Sequence, residues 1–311
     1  MKQRILFSAL GGSLFPTLKF FLDSDYEIFF HDKNEKLSYE YPEYNFRPSP
    51  EISSEEYIPF LKDYIISKKI NVYVPLIDEE LIKVKETIEG FKGVKVISPS
   101  LNFIKSTLDK FKLMKSLKRD NISKIETFNF ENLEKLKNYP YIIKPIFGRG
   151  SRGIQIVSNI DEIKYHLKKQ KSEELIQEYI SGVEYTVGVN VNSLNQILSI
   201  SSRMIIVKRG ITIEAKTIRN KQINSIVKSI VKKMEPCGPF NLQLIIDSHN
   251  NIKVFEINPR FSTTLILSYY SGINEIKTYL GYYDKKFKSK FEESRSNIYL
   301  KRRWENIFYE V

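Results

Sequence analysis

The sequence has one cysteine, Cys237, in 311 residues. A lone thiol forms no internal disulfide, so a disulfide framework is excluded and the cytosol is the expected compartment. Long apolar runs are also missing. None approaches the roughly 20 residues that span a bilayer, and Met1 to Gly12 reads as a short buried strand meeting a glycine turn, not as a signal peptide. Only two alanines occur, Ala9 and Ala215, against abundant Lys, Ile and Asn. That bias suggests an AT-rich coding background. The net charge of +12, from 49 basic and 37 acidic residues, therefore carries little information about partners. The lysines are spread along the chain instead of being gathered with aromatics on one face, which argues against nucleic acid as the partner and for a small anionic ligand. Apolar residues at 41% and charged residues at 28% describe a folded chain, as two lobes or one large unit.

The first hundred residues alternate strand-like and helix-like segments. Strands are expected at Ile5 to Ala9, Tyr26 to Phe30, Asn71 to Pro75 and Val94 to Ile97. Helices are expected through Leu14 to Leu22, Tyr57 to Ser67 and Glu79 to Ile88. This order implies a parallel sheet with crossover helices. The Pro- and Tyr-rich stretch 33–54 reads as a surface excursion, and Ser98-Pro99-Ser100 as a boundary. An amphipathic helix is expected from Leu101 to Leu117. Strands follow at Tyr141 to Lys144, Ile154 to Val157, Glu174 to Tyr179, Tyr185 to Val191, Ile197 to Ile206, Leu242 to Ile246 and Lys253 to Ile257. Helices are expected at Ile160 to Lys168 and Lys216 to Met234. The basic, aromatic tail beyond Tyr283 has no assigned place.

Three segments carry candidate chemistry. Gly148, Gly150 and Gly153 crowd the hairpin after Tyr141 to Lys144, where backbone N–H groups can approach a phosphate unobstructed. Neither a Walker loop nor a dinucleotide fingerprint is present. Lys144, at the strand end, is spaced to reach phosphates held by that turn; the same segment also reads as a surface hairpin with a snorkelling lysine. In Glu256-Ile257-Asn258-Pro259-Arg260, Glu256 and Asn258 lie two apart and share one face of a strand. Their oxygens suit Mg2+, and Arg260 follows on that side, though a solvated edge strand fits too. Between Gln177 and Tyr185 the backbone can meet an adenine edge and Glu184 a ribose diol, or the segment is a plain linker.

Taken together the segments resemble the ATP-grasp superfamily, in the branch around the carbamoyl-phosphate synthase large subunit. The resemblance runs over roughly residues 95 to 280. It passes through Lys110, "IIKPIFGRGSRGI" (Ile142 to Ile154), "QEYISGVEYTV" (Gln177 to Val187), Gln243 and "FEINPRF" (Phe255 to Phe261). "VYVPLIDEEL" (Val72 to Leu81) is similar to the end of the preceding domain in that branch. The resemblance implies an α/β and α+β ATP-grasp fold: a Rossmann-like domain over 1–97, a small lobe with the lid over 98–180, and a large lobe with the metal site over 181–311. ATP is expected between the two lobes.

By the same resemblance Lys110 and Lys144 hold nucleotide phosphates, and Gly148, Gly150, Ser151 and Gly153 form the lid. Glu178 and Ile180 meet adenine and Glu184 the ribose. Gln243, Glu256 and Asn258 hold Mg2+, with Mn2+ as a substitute. Arg260 stabilises the transferring phosphoryl group, and Arg203 and Lys208 lie near the acceptor. Two departures stand out: Gln243 replaces the commoner acidic ligand, and the lid carries Arg149 and Arg152. The implied reaction is ATP-dependent, ADP-forming ligation of a carboxylate and an amine through an acyl phosphate. The alternatives are another carboxylase or transferase on this scaffold, or an inactive nucleotide-binding protein. The expected partners are small molecules and, as in many relatives, a second copy of the chain, with no membrane. Cys237, beside Gly238-Pro239, is not expected to be a nucleophile.

Overall fold

The computed structural model describes residues 2–11, 26–148, 150, 153–169, 173–283, 291–303, 306 and 308. The helix expected through Leu14 to Leu22 lies outside the described residues. The N-terminal region runs β1 (Gln3–Ser8), β2 (Tyr26–Asp32), α1 (Leu37–Glu40), β3 (Asn45–Pro48), α2 (Tyr57–Lys68), β4 (Val72–Val74), α3 (Leu81–Thr87) and β5 (Lys95–Val96). The strands form one parallel sheet in the order β3-β2-β1-β4-β5. The stretch 33–54 is therefore more than a surface excursion, because Asn45–Pro48 supplies the edge strand beside β2.

Alternation along β1 sends its side chains into two cores. Leu6 packs with Tyr57, Leu61 and Val84 under the helices, whereas Ile5 and Phe7 pack with Leu198, Phe261 and Leu265 from far along the chain. At roughly 1.5–3 kcal/mol per fully buried large apolar side chain, the second cluster ties the sheet firmly to the C-terminal half of the chain. A single-turn 3-10 helix, Asp78–Glu80, follows β4. The fully buried Glu80 carboxylate accepts hydrogen bonds from Ser8 Oγ and from the Tyr57 and Tyr73 hydroxyls, and burial holds its pKa above the usual range.

The expected helix 101–117 is two helices, α4 (Leu101–Leu108) and α5 (Lys110–Arg119). Asp109 breaks it: its backbone is extended, and its side chain caps the second helix by accepting from Lys112 N at 2.9 Å. A four-stranded antiparallel sheet follows: β6 (Thr127–Phe128), β7 (Tyr141–Pro145), β8 (Gln155–Val157) and β9 (Glu174–Glu178), in the order β6-β9-β7-β8, with α6 (Ile160–Leu167) between β8 and β9.

The largest sheet contains β10 (Val183–Val191), β11 (Ile197–Arg209), β12 (Ile211–Ile218), β13 (Phe240–Ile246) and β14 (Ile252–Asn258), with α7 (Lys221–Met234) between β12 and β13. Then come α8 (Leu265–Tyr270), α9 (Glu275–Tyr283), β15 (Glu292–Glu293) and β16 (Tyr299–Lys301). The order is β14-β13-β10-β11-β12-β16, with β15 parallel to β11. The helix expected from Lys216 starts only at Lys221, because the β-branched, alternately buried run Ile211–Ile218 pairs with β11 instead. Asn220 then caps α7, accepting from Gln222 N and Ile223 N. Of the tail, the described strands β15 and β16 join this sheet. Helices α4 and α5 contribute Phe103, Leu113 and Leu117 to the core under it. Among the described residues no helix is long and apolar enough to cross a membrane.

Candidate active site

A cavity of about 250 Å3 opens between the four-stranded sheet and the large sheet. Its walls include Ile125, Ile142, Ile154, Ile180, Ile245 and Phe255, and its polar groups are Lys110, Lys144, Gln177, Glu178, Glu184, Lys208, Gln243 and Glu256. A slot with aliphatic walls and several charged side chains suits a planar ring attached to an anionic chain.

Each charged group arrives from a different element. Lys110 is the first residue of α5, so the break at Asp109 delivers it to the cavity. Its Nζ donates to the Gly148 carbonyl at 2.7 Å and lies 3.9 Å from Glu256 Oε1. Lys144, buried on β7, donates to Gln177 Oε1 at 2.8 Å and to the Phe255 carbonyl at 3.4 Å. Burial lowers its pKa from 10.5 to about 8; Glu256 opposes that shift, and the neighbouring Lys110 and Lys208 reinforce it. Lys208, on β11, donates to Glu184 Oε1 and to Gln243 Oε1, the latter at 3.3 Å.

Strand register explains the acidic side. On β13 and β14, Gln243 stands directly opposite Glu256, and Asn241 opposite Asn258. On β10, Glu184 and Thr186 share a face, and Thr186 pairs with Gln243, which brings Glu184 to the same wall. Gly182 allows this strand to start so close to its neighbour: a Cβ there would sit 2.3 Å from the Ile246 carbonyl oxygen. At the end of β9, Glu178 N donates to the Glu126 carbonyl at 2.8 Å, and the Glu178 carboxylate accepts from Glu126 N at 3.3 Å.

The remaining candidates lie elsewhere. Gly148 lines the cavity with φ of 127°, a conformation that favours glycine. Gly150 and Gly153 do not line it, and Ser151, Arg149 and Arg152 lie outside the described residues. Asn258 is buried just behind the cavity, its Nδ2 3.4 Å from Asn241 Oδ1. Arg260 is buried too, and pairs with Asp78 through Nε at 2.7 Å and Nη2 at 2.9 Å. Burial opposes its charge, but Asp78, Glu256 and Glu79 outweigh burial and hold its pKa above the usual range.

Arg203 does not line the cavity. It is fully buried, bound to Glu275, Ser268 and Thr264, so its guanidinium serves packing beneath α8 and α9. Sequence reasoning gave no role to Gln177, which the structure makes central: besides accepting from Lys144, its Nε2 donates to Thr127 Oγ1 at 3.0 Å. Its alternation with Glu178 on β9 was the available signal.

The donor chemistry accommodates a hard cation. Glu256 offers a carboxylate, and Gln243 and Asn258 offer amide oxygens, a set that phosphate oxygens complete for Mg2+. Among the described residues no group of three His, Cys, Asp or Glu side chains is placed to hold a metal ion.

A cleft between two sheets that gathers three lysines, Lys110 and Lys144 beside Glu256 and Lys208 on Glu184, has the charge to receive a ligand that carries phosphates. A model of the ATP-grasp domain matches residues 107–264, half of the sequence, and the chain belongs to the ATP-grasp superfamily. It is 29% identical over 212 residues to the carbamoyl phosphate synthase large chain of Clostridium acetobutylicum, covering 60% of this chain and 19% of that one. It is 34% identical over 115 residues to the D-alanine–D-alanine ligase of Petrotoga mobilis, covering 34% of this chain and 38% of the ligase. The chain thus spans well under two thirds of either relative's length. With two different enzymes matched, the similarity reaches the superfamily and not the carbamoyl-phosphate synthase branch alone. The fold is similar to that of the biotin carboxylase domain of Hydrogenobacter thermophilus 2-oxoglutarate carboxylase, solved with MgADP and bicarbonate. The TM-score is 0.77 at 15% identity, over 96% of this chain and 74% of that one.

Proposed function

We propose that the chain is an ATP- and Mg2+-dependent, ADP-forming enzyme that activates a carboxylate-type acid by phosphorylation and transfers its acyl group to a nucleophile. The observation that carries this reading is the gathering of Lys110, Lys144 and Lys208 in one aliphatic-walled cleft, with Lys110 and Lys144 beside Glu256 and Lys208 bound to Glu184. Bicarbonate is the first-choice acid, since the Hydrogenobacter biotin carboxylase domain was solved in complex with bicarbonate as well as MgADP. An organic carboxylate joined to an amine is the second reading, favoured by the similarity to D-alanine–D-alanine ligase. Placement beside carbamoyl-phosphate synthase, and the division into 1–97, 98–180 and 181–311, belong to this proposal.

In this mechanism Ile180 and the Glu178 backbone hold adenine, and Glu184 binds the ribose once Lys208 releases it. Lys110 and Lys144 bind phosphate oxygens, and the Gly148 turn covers them. The acid's oxygen attacks the γ-phosphorus and the bond to ADP breaks, giving a mixed anhydride. The nucleophile then attacks the carbonyl carbon, loses a proton, and inorganic phosphate leaves. Mg2+, when bound at Gln243, Glu256 and Asn258, neutralises phosphate charge. Lys208 and Arg260 offset charge on the moving phosphoryl group, and the closed cleft keeps water from the anhydride.

The test is mass spectrometry of reactions with ATP, Mg2+ and either 13C-bicarbonate or pooled organic acids, each with pooled amines. ADP with a 13C-labelled product supports the first reading, and ADP with an unlabelled amide the second. AMP in place of ADP rules out the acyl-phosphate mechanism. Glu256→Ala is expected to abolish Mg2+-dependent ADP formation while the chain stays folded by circular dichroism; full activity in that variant removes the metal assignment.

A further inference from the structure

We infer that Asp78, outside the family-matched segment, is the positioning residue for Arg260, and that the N-terminal sheet thereby sets the geometry of phosphoryl stabilisation. The inference rests on the proposed ATP-dependent function. Asp78 and Arg260 are separated by 182 positions and meet as a buried bidentate pair. A fork of this kind fixes the plane of a guanidinium as well as its place. Arg260 Nη1 also donates to the Phe261 carbonyl at 3.1 Å. Three of the five N–H groups therefore have partners among the described residues, and two remain for an anion.

The anchor of Asp78 is unusually firm. It stands two residues before Glu80, whose buried carboxylate is held by Ser8, Tyr57 and Tyr73. Ser8 Oγ also accepts from Leu76 N at 2.8 Å, and Glu80 Oε1 from Ile77 N at 3.2 Å. The turn is thus stitched to β1, α2 and β4. On the other side, the Arg260 carbonyl accepts from Asn241 Nδ2 at 3.0 Å, and Asn241 lies opposite Asn258 in the sheet. Asp78 thus connects the N-terminal sheet to the strand end that carries Glu256 and Asn258.

The test compares MgADP affinity with and without beryllium fluoride, a γ-phosphoryl mimic, by calorimetry. The readout for each variant is the ratio of its own two affinities. The wild type is expected to gain at least tenfold on addition of beryllium fluoride. Asp78→Asn and Arg260→Ala are each expected to lose most of that gain, and the double variant no more than Arg260→Ala alone, because Asp78 acts through the arginine. Asp78→Glu, which keeps the charge but displaces the fork, is expected to recover part of the gain; it serves as the test if Asp78→Asn fails to fold. A wild-type ratio in Asp78→Asn and Asp78→Glu, or losses that multiply in the double variant, overturns the inference. A wild type that binds no MgADP overturns the proposed function itself, and one that binds MgADP but gains nothing from beryllium fluoride overturns only the role of Arg260.

Discussion

Lys144 carries the sharpest single-residue consequence. With its pKa lowered to about 8 by burial and by two neighbouring lysines, it loses its proton within an accessible range. Below that pH the buried charge costs the free protein stability, whereas an unfolded chain keeps the proton until about 10.5. Stability of the nucleotide-free protein should therefore rise between about pH 8 and 10.5 from this group. Nucleotide affinity should move the other way, because a phosphate favours the charged lysine. Calorimetry at about pH 8 in two buffers of different ionisation enthalpy should detect proton uptake on MgATP binding, with affinity falling as pH rises further. Lys144→Met should weaken binding roughly tenfold or more and remove that uptake. An affinity that does not change across this range would take Lys144 out of the phosphate site.

At the scale of elements, placement depends on where segments stop. Had α4 and α5 been one helix, Lys110 would sit mid-helix; the Asp109 break makes it the first residue of a new one, with its backbone N–H donating to the Ile146 carbonyl at 3.3 Å. Asn220 does similar work for α7, whose Ile223, Val227 and Ile230 are buried under the large sheet. Asn220→Ala should cost about 1 kcal/mol of stability in urea unfolding, leaving two backbone donors without their side-chain acceptor. MgATP affinity should stay unchanged, since α7 does not line the cavity. Local reading anticipated a helix ending at Met234 but set its start too early, because the β-branched run Ile211–Ile218 extends through Lys216 by pairing with β11.

For the whole molecule, the cleft depends on two lobes and on the N-terminal sheet behind them. A ligand that binds only this assembled state stabilises it by about 2.7 kcal/mol at 100 times its Kd. For a chain of this size that is a rise in Tm of about 4 °C. Thermal unfolding with saturating MgATP should show such a rise, and EDTA should remove most of it. An equal rise with ATP in EDTA would mean that Glu256 and its neighbours hold no metal needed for binding.

By itself the sequence determined which segments are strands and helices wherever periodicity is strong, the glycine turn after Lys144, and the shared face of Glu256 and Asn258. These depend on neighbours one to four positions apart, within reach of local sterics and alternation. Tertiary structure alone decided that Gln243 faces Glu256, that Lys208 binds Glu184, that Gln177 accepts from Lys144, and that Asp78 meets Arg260. It also withdrew Arg203 into an ion pair with Glu275. Those outcomes rest on strand register and on contacts between residues up to 182 positions apart. A shift of one residue in pairing reverses every side chain on a strand, so no local pattern specifies them.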